Sequence, residues 1–211
     1  MDEKKKDELL NLVKRNMTLS QMGLTYAHNP FDEERYKELI EINKAIISII
    51  SDKSFETISN FYVPVKEYIT PKVEIRGLLL NEQNKILMVK EKLDEGKWSI
   101  PGGWADIGFA PSEVIVKEMK EETGLDVSVD RVLAIYDKQS HNHPKDLYYT
   151  YTIVFLCKKI SGEFSTAFDI DDVNYFSITE LPPLSEVRIL EEQLKELYFL
   201  AIDKIPRVQF D

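Results

Sequence analysis

The chain has 211 residues, of which 43% are hydrophobic and 30% charged, proportions typical of a folded globular protein. No apolar run approaches the ~20 residues that a membrane-spanning helix requires, and the opening residues, MDEKKKDELL, lack the apolar core of a secretion signal. The net charge of −10 disfavours general binding to a nucleic-acid backbone, so we expect a cytoplasmic protein with neither a membrane partner nor a general nucleic-acid partner.

The first 60 residues are predicted to be helical. Apolar residues from Leu9 to Met17 recur at helical spacing, and a break follows at Asn29-Pro30. Asp32 is expected to cap a second helix, whose apolar positions run from Tyr36 to Ile50. A third, short helix is expected over 54–62. The stripe on the second helix is too wide for a lone surface helix, so residues 1–66 are expected to pack on the rest of the chain or on a second subunit.

Strand patterns define a second region, residues 67–211, after a linker bracketed by Pro64 and Pro71. The predicted strands are Val73–Leu80, Lys85–Lys90, Lys97–Ile100, Asp126–Asp137, Leu147–Lys158 and Val173–Ser177. A final helix is expected over Ser185–Ile202. Strands interrupted by one helix and followed by another predict a mixed α/β or α+β sandwich. The single cysteine, Cys157, lies in an apolar run and is typical of a core residue in a reducing compartment.

The helix inside this strand region carries Glu118, Glu121 and Glu122 and is followed by Thr123-Gly124. Positions three and four residues apart share one face of a helix, so the three carboxylates should repel one another. A hard cation such as Mg²⁺ takes oxygen ligands and shares them with substrate phosphates, which would turn that repulsion into a binding site. The alternative is a solvated helix with Glu–Lys pairs, which leaves Glu118 and Glu122 without partners.

The run GGWADIGFAPSEVIVKEMKEETGL resembles the signature of the Nudix hydrolases. Two positions depart from the family pattern: Phe109 replaces a Glu and Lys117 replaces an Arg. Phe109 is expected to pack under the Glu-rich helix. Lys117 keeps the positive charge but loses the planar fork that helps to orient the neighbouring Glu. The resemblance implies a mixed β-sheet sandwiched between helices, with the Glu-rich helix beside the cleft.

The resemblance also implies a chemistry and a set of residues. Glu118, Glu121, Glu122 and the carbonyl of Gly103 would bind Mg²⁺ or Mn²⁺. The ions would bridge the oxygens of a pyrophosphate and lower the pKa of an attacking water. Glu122, or a carboxylate from a neighbouring loop, would accept the proton of that water. The loop containing Asp169 is one place where the family often has an extra catalytic carboxylate; turn formation is the other interpretation of its acids.

Five further residues are candidate substrate contacts, and four of them have an alternative interpretation. Arg76, in an apolar strand, would contact a phosphate or a base, or reach solvent from an edge strand. His141 and His143 would contact substrate or lie at the surface; a metal pair is a third possibility. Tyr151 would stack on a nucleobase or pack across strands. Trp104, next to the glycine loop, completes the set.

The outer regions resemble one Nudix subgroup. The stretch GLTYAHNPFDEERY, the loop containing His141-Asn142-His143-Pro144 and the Tyr-rich strand after it are similar to enzymes that hydrolyse nucleoside diphosphates linked to a small group. This resemblance implies CDP-choline as the first substrate candidate, ADP-ribose or a nucleotide sugar as the second, and a homodimer through the N-terminal helices. A non-catalytic nucleotide-binding module and a helical dimer adaptor are the competing classes of function.

Overall fold

The computed structural model describes residues 2–63, 65, 67–203 and 205–211, which form two compact units, residues 1–70 and 71–211. Pro64, one of the two prolines predicted to bracket the linker, lies outside the described residues. None of the helices in the described ranges is long and apolar enough to cross a membrane.

Three helices make up the first unit: α1 (Glu3–Thr25), α2 (Pro30–Ser51) and α3 (Phe55–Phe61). The expected cap of α2 was wrong by three residues. Asn29 caps the helix by accepting a hydrogen bond from the Asp32 amide, and Pro30 starts it, because proline is suited to a first turn where its missing N–H costs nothing. Ser54 caps α3 in the same manner.

The apolar residues of α2 divide between two sides of the helix. Ile40, Ile47 and Ile50 are buried, and a polar contact between Asn16 and Asn43 (2.9 Å) joins α1 to α2. A second row is exposed: Leu39, Ile42 and Ile49. We refer to Leu39, Ile42 and Ile49 as the outer row. These three follow helical spacing, so this unit leaves part of the predicted stripe uncovered.

The second unit has an α+β architecture with two sheets. Its strands are β1 (Lys72–Leu79), β2 (Ile86–Glu91), β3 (Lys97–Ser99), β4 (Gly102–Trp104), β5 (Asp126–Asp137), β6 (Thr150–Ser161), β7 (Ile170–Phe176) and β8 (Gln209–Phe210). A mixed five-stranded sheet has the order β4-β1-β6-β5-β8, and a three-stranded antiparallel sheet has the order β3-β2-β7. Strands β4 and β8 were not predicted, because three and two residues are too few to show an alternating pattern.

Helices α4 (Pro111–Thr123) and α5 (Glu191–Ile202) belong to separate apolar cores. Ile115 and Met119 of α4 pack with β1 residues such as Ile75, whereas α5 packs with Leu78 from the opposite face of β1. The sheets therefore lie between helices, and the predicted fold class is confirmed, with two sheets in place of one. Cys157 is buried in the α4 core, as predicted.

The last helix begins six residues later than predicted. The amide of Ser185 donates to the carbonyl of Trp98 (2.8 Å), which ties this segment to β3 before the chain can become helical. The carbonyl of Ser185 then accepts from the amides of Arg188 and Ile189 in a tight turn. This turn directs Arg188 toward the site described next.

Candidate active site

Close packing at one glycine places α4 against the sheet. A Cβ built on Gly77 of β1 would lie 2.5 Å from the end of Met119 and 2.8 Å from Ile115. The helix starts at Pro111, is capped by the Glu113 side chain, which accepts from the Ala110 amide at 2.7 Å, and ends at Gly124 with φ +77°. The position of the Glu-rich face is therefore set by its buried side.

The glycine loop approaches this face through β4. Gly102 pairs with Arg76 of β1 and has φ +144°; a Cβ there would lie 2.0 Å from the carbonyl oxygen of Ile75. Gly103 lies directly under the carboxylate of Glu118, since a Cβ on Gly103 would be 2.7 Å from Glu118 Oε1. Both positions therefore need glycine, one for backbone conformation and one for the space that Glu118 occupies.

Glu122 is buried and accepts a hydrogen bond at Oε2 from the Gly102 amide (2.9 Å). Burial raises its pKa to about 8, against the opposing effects of Arg76 and the Gly102 hydrogen bond. The pKa of half-buried Glu118 is also raised, first by burial and then by the charge of Glu121. Both carboxylates would be stabilised by a cation.

The residues fit a divalent cation as oxygen donors. Glu118 and Glu122 converge on the Gly102-Gly103 backbone, and carboxylate and carbonyl oxygens are the ligands that Mg²⁺ takes. Glu121 lies at the exposed edge and pairs with Lys117 at 3.9 Å. Within the described ranges, no three Asp, Glu, His or Cys side chains are close enough to hold an ion as they stand. The metal-ligand roles of Gly103, Glu118, Glu121 and Glu122 remain predictions.

A cavity of about 460 Å³, which we call the acidic cleft, brings residues of both charges together. Its acidic lining residues are Glu74, Glu91, Glu118, Glu122, Asp146 and Asp169, and its basic ones are Arg76, Lys138 and Arg188. Glu91 pairs with Arg188 Nε at 2.9 Å, and burial raises the pKa of Glu91. No local motif links Glu74, Glu91, Lys138 and Arg188, which are distant in sequence, so these residues were not predicted as part of the site.

The buried Glu74 carboxylate pairs with the partly buried Lys138 ammonium at 3.0 Å. Burial alone would raise the pKa of Glu74, but Arg76, Lys138 and the Thr152 hydroxyl (2.7 Å) outweigh it and hold the pKa below its usual value. Lys138 also donates to the carbonyl of Val187 at 2.7 Å. This lysine is therefore held in place on the side of the acidic cleft that carries Arg188.

A second cavity, of about 310 Å³, shares Lys138, Asp146 and Val187 with the acidic cleft. We call this cavity the second chamber, and the two cavities together the two chambers. His143 lines it and is buried; its Nδ1 lies 2.6 Å from the carbonyl oxygen of Glu186, which can only accept. Burial lowers the pKa of His143, so its ring is neutral near pH 7. His141 instead has Nε2 3.0 Å from a carboxylate oxygen of Asp211.

The aromatic candidates lie in different places. Trp104 is half-exposed at the edge of the acidic cleft and makes an edge-to-face contact with Tyr148, their ring centroids 6.0 Å apart. The Lys72 ammonium lies 3.9 Å from the Tyr148 ring centroid. β6 begins at Thr150, so Tyr148 lies before the strand that the sequence predicted to contain it. Tyr151 is half-exposed on β6 and is outside both chambers as the described residues define them.

The two departures from the family pattern lie on the outer side of α4. Lys117 Nζ is 2.8 Å from Asp106, and this hydrogen bond raises the pKa of the lysine. Phe109 is 52% exposed, so the expectation that it packs under the helix is wrong. With Val116 and Lys117 it lines a groove on the outer side of α4, which we call the outer groove. The loop from Asp106 to the start of α4 passes outside the helix, which local sequence does not reveal.

Arg76 is only 4% exposed, and its Nη1 donates to the carbonyl oxygens of Gly102 (2.9 Å) and Ile100 (3.3 Å). β1 lies between β4 and β6, so the edge-strand interpretation of Arg76 is wrong. Its contact with substrate remains a prediction, as do those of Trp104, His141, His143 and Tyr151. Asp169 lines the acidic cleft, which keeps it a candidate for the extra carboxylate.

Two family descriptions match this chain. "NUDIX domain" matches residues 70–197, and "UDP-X-like, N-terminal oligomerisation domain" matches residues 7–62. Together they account for both units of the structure.

Several proteins are similar over most of the chain. The Bacillus subtilis (strain 168) protein YjhB, whose name assigns it provisionally to the ADP-ribose pyrophosphatases, is 38% identical over 189 residues and covers 90% of each chain. A crystal structure described as a UDP-X diphosphatase has a TM-score of 0.62 at 32% identity and covers 98% of this chain and 99% of its own. An ADP-ribose pyrophosphatase from Streptococcus suis 89-1591 has a TM-score of 0.61 at 37% identity, covering 67% of this chain and 100% of its own.

The buried carboxyl of Glu122 should make the stability of the metal-free protein depend on pH. Its pKa is about 8 in the folded chain, above the ordinary 4.5, so between these values the unfolded chain releases a proton that the folded chain keeps. Stability is therefore lost as pH rises through this window. Glu122→Gln removes this titration, and its gain in thermal midpoint in EDTA should grow from about pH 5 to pH 8. Glu113→Gln should show no such trend. A difference in thermal midpoint between Glu122→Gln and the parent that does not change with pH would contradict the raised pKa of Glu122.

Phe109→Glu restores the acid of the family pattern at a half-exposed position. A carboxylate there stays solvated on the outer side of α4, so turnover should stay within about twofold, as expected for surface changes of about 0.5 kcal/mol or less. Steady-state rates and thermal midpoints of the two proteins test this. A large gain in rate at unchanged stability would show that the outer groove takes part in catalysis.

Proposed function

Because this chain belongs to the Nudix hydrolase family, we propose that it uses Mg²⁺ or Mn²⁺ to hydrolyse the P–O–P bond of a nucleoside diphosphate linked to a small group. The observation that supports this most strongly is the convergence of Glu118 and Glu122 on the Gly102-Gly103 backbone. The cavity that they line is also lined by Arg188 and other basic side chains. Acidic groups for a metal and basic groups for phosphate then meet in one cleft.

Gly103, Glu118, Glu121 and Glu122 would hold the metal. A divalent ion there would neutralise charge on the pyrophosphate and make an attacking water more acidic. The water oxygen forms a bond to one phosphorus, the bond from that phosphorus to the bridging oxygen breaks, and the products are a nucleoside monophosphate and a phosphorylated partner. Glu122 is the first candidate to accept the proton of the water; the neighbouring carboxylates of Glu91 and Asp169 are the alternatives.

Two basic residues are placed to contact the phosphates. Arg188 binds Glu91 through Nε, its Nη1 donates to the Ser185 hydroxyl (3.3 Å), and its side chain lines the acidic cleft. Lys138 is anchored by Glu74 and the Val187 carbonyl where the two chambers meet. Positive groups held in a partly dehydrated cleft stabilise charge that develops on a leaving phosphate.

The adjoining chambers suit a substrate with two halves. With the pyrophosphate over α4, one half would extend past Lys138 and Asp146 into the second chamber, beside neutral His143. CDP-choline remains the first candidate substrate. ADP-ribose and UDP-linked compounds stand beside it, supported by the names of the relatives. We also propose a cytoplasmic location, which the buried free cysteine Cys157 supports.

A substrate panel tests the proposal. Purified protein is incubated with Mg²⁺ or with EDTA and with CDP-choline, ADP-ribose, UDP-glucose or an oligonucleotide, and nucleoside monophosphate is measured by chromatography. We expect Mg²⁺-dependent cleavage of at least one of the three nucleoside diphosphate compounds, CDP-choline, ADP-ribose or UDP-glucose. Glu122→Gln should lose roughly 10²–10⁴-fold in kcat, the range for loss of a positioned base, while remaining folded.

Glu113→Gln is the matched control, because Glu113 lies on the same helix but lines the outer groove. Its kcat should match that of the parent. Absence of monophosphate from every nucleotide, or full turnover by Glu122→Gln, would contradict the proposed function.

We further propose that the N-terminal helices form a homodimer through the outer row. Ile49 is 78% exposed, Ile42 is 47% exposed, and the region matches a family oligomerisation domain. A contiguous apolar row on an exposed helix is typical of an interface, and two-fold dimers are the commonest symmetric assembly.

Light scattering should give twice the 24.5 kDa chain mass. Replacing both Ile42 and Ile49 by Gln should shift the mass toward that of one chain, because polar groups would then be buried without partners in the interface. Ile160→Gln, an exposed isoleucine of β6, is the control and should leave the mass unchanged. A parent protein of 24.5 kDa at micromolar concentration would rule the dimer out.

A further inference from the structure

We propose that Arg76 is a positioning residue that holds the Gly102-Gly103 segment against the acids of α4, an inference that rests on the proposed function because it concerns the same site. The family pattern assigns an orienting role to an arginine at the position of Lys117. In this chain the guanidinium at the site comes from β1 instead.

The geometry places Arg76 beneath the glycine loop. Arg76 pairs with Gly102 across β1 and β4, and its Nη1 contacts the carbonyl oxygens of Gly102 and Ile100 on either side of Pro101. The next amide in β1, that of Gly77, donates to the Pro101 carbonyl at 2.9 Å. Residues of β1 therefore hold three consecutive carbonyls, and the next residue, Gly103, lies against the Glu118 carboxylate.

The other end of the guanidinium faces acids. Arg76 Nη2 lies 3.6 Å from Glu74 Oε2, and both side chains are about 95% buried. Glu91, Glu118 and Glu122 line the same acidic cleft as Arg76. One buried cation thus holds the loop and offsets part of the repulsion in the acidic cleft.

Lys117 is not positioned for this task. Its ammonium lies 2.8 Å from Asp106 and 3.9 Å from Glu121, on the outer side of α4. Its hydrogen bond with Asp106 fastens the loop between β4 and α4. The planar fork of arginine can span two carbonyls and a carboxylate at once, whereas an ammonium provides a single point charge. Arg76→Lys therefore retains the charge and tests the geometry.

The experiment measures metal binding without substrate. Arg76→Lys and Arg76→Met are compared with Arg131→Met by titration with Mn²⁺ alone, followed by calorimetry and electron paramagnetic resonance. Arg131 is the matched control, since its guanidinium also donates to two backbone carbonyls, those of Leu200 (2.7 Å) and Arg207 (3.1 Å), outside the acidic cleft. Kd for Mn²⁺ should rise about 10- to 100-fold in both Arg76 variants, the range for loss of a group that orients metal ligands.

Two further readouts separate positioning from general stability. Arg76→Lys should lower kcat and raise the half-saturating Mg²⁺ concentration with little change in substrate KM, whereas Arg131→Met should lower the thermal midpoint alone. In the parent protein without metal, the amides of residues 102–104 should exchange as slowly as those of β1. This last measurement needs no variant, so exchange that slows only when Mn²⁺ is added would overturn the role of Arg76 even where Arg76 variants fail to fold.

The possible outcomes are distinct. Parent-like Mn²⁺ binding by Arg76→Lys, an equal loss in Arg131→Met, or exchange at residues 102–104 that slows only when Mn²⁺ is added would each overturn the role of Arg76. A parent protein that binds Mn²⁺ but cleaves no nucleotide would overturn the proposed function and leave the role of Arg76 supported. A parent protein that binds no Mn²⁺ would overturn both.

Discussion

The hydrogen bond from the Gly102 amide to the buried carboxyl of Glu122 joins the two parts of the acidic cleft. One partner belongs to a strand that has no room for a side chain at this point, and the other to a helix held by close packing at Gly77. Because neither element can shift independently, the carboxyl is held out of water. In this buried position its charged form is unfavourable. This unfavourable charge makes the site receptive to a cation.

The basic residues of the acidic cleft reduce the same cost, that of taking charged groups out of water. Buried charges are tolerated where they are paired, and here Glu74 pairs with Lys138 and Glu91 with Arg188. The pairs come from elements far apart in sequence, which ties the sheets, the loop after β5 and the turn before α5 to one electrostatic arrangement. Binding of a divalent metal and a pyrophosphate diester would add two positive and two negative charges to it, so metal and substrate are expected to bind favourably together.

The stability of the N-terminal unit depends on how much of the apolar surface of α2 is buried. Ile47 and Ile50 are buried, while Ile42 and Ile49 on the same helix are exposed. A three-helix unit of this size buries little surface by itself, and its match to an oligomerisation domain is consistent with further burial by association. The Asn16–Asn43 contact adds a directional polar interaction between α1 and α2.

Local sequence was sufficient for features that depend on neighbouring residues. The spacing of Glu118, Glu121 and Glu122, the Gly124 that follows them and the apolar run of β1 are short-range patterns, so the fold class and the identity of the Glu-rich helix followed from them. Errors arose where local signals compete: Asn29 and Asp32 are both good caps, and Pro30 between them decides in favour of Asn29. The late start of α5 has a similar origin, because Ser185 bonds to β3.

The composition of the acidic cleft was decided only by the tertiary structure. Arg76, Glu91, Lys138 and Arg188 carry no shared motif, and their side chains meet because β1, β2, the end of β5 and the turn before α5 converge. The same holds for Phe109, whose direction depends on the path of a loop, and for Arg76, which is buried because β4 adds a short strand beside β1. The sequence determined which groups are capable of metal and phosphate chemistry. Long-range packing determined which of them share a cavity, because distance and burial, unlike spacing along the chain, are properties of the folded molecule.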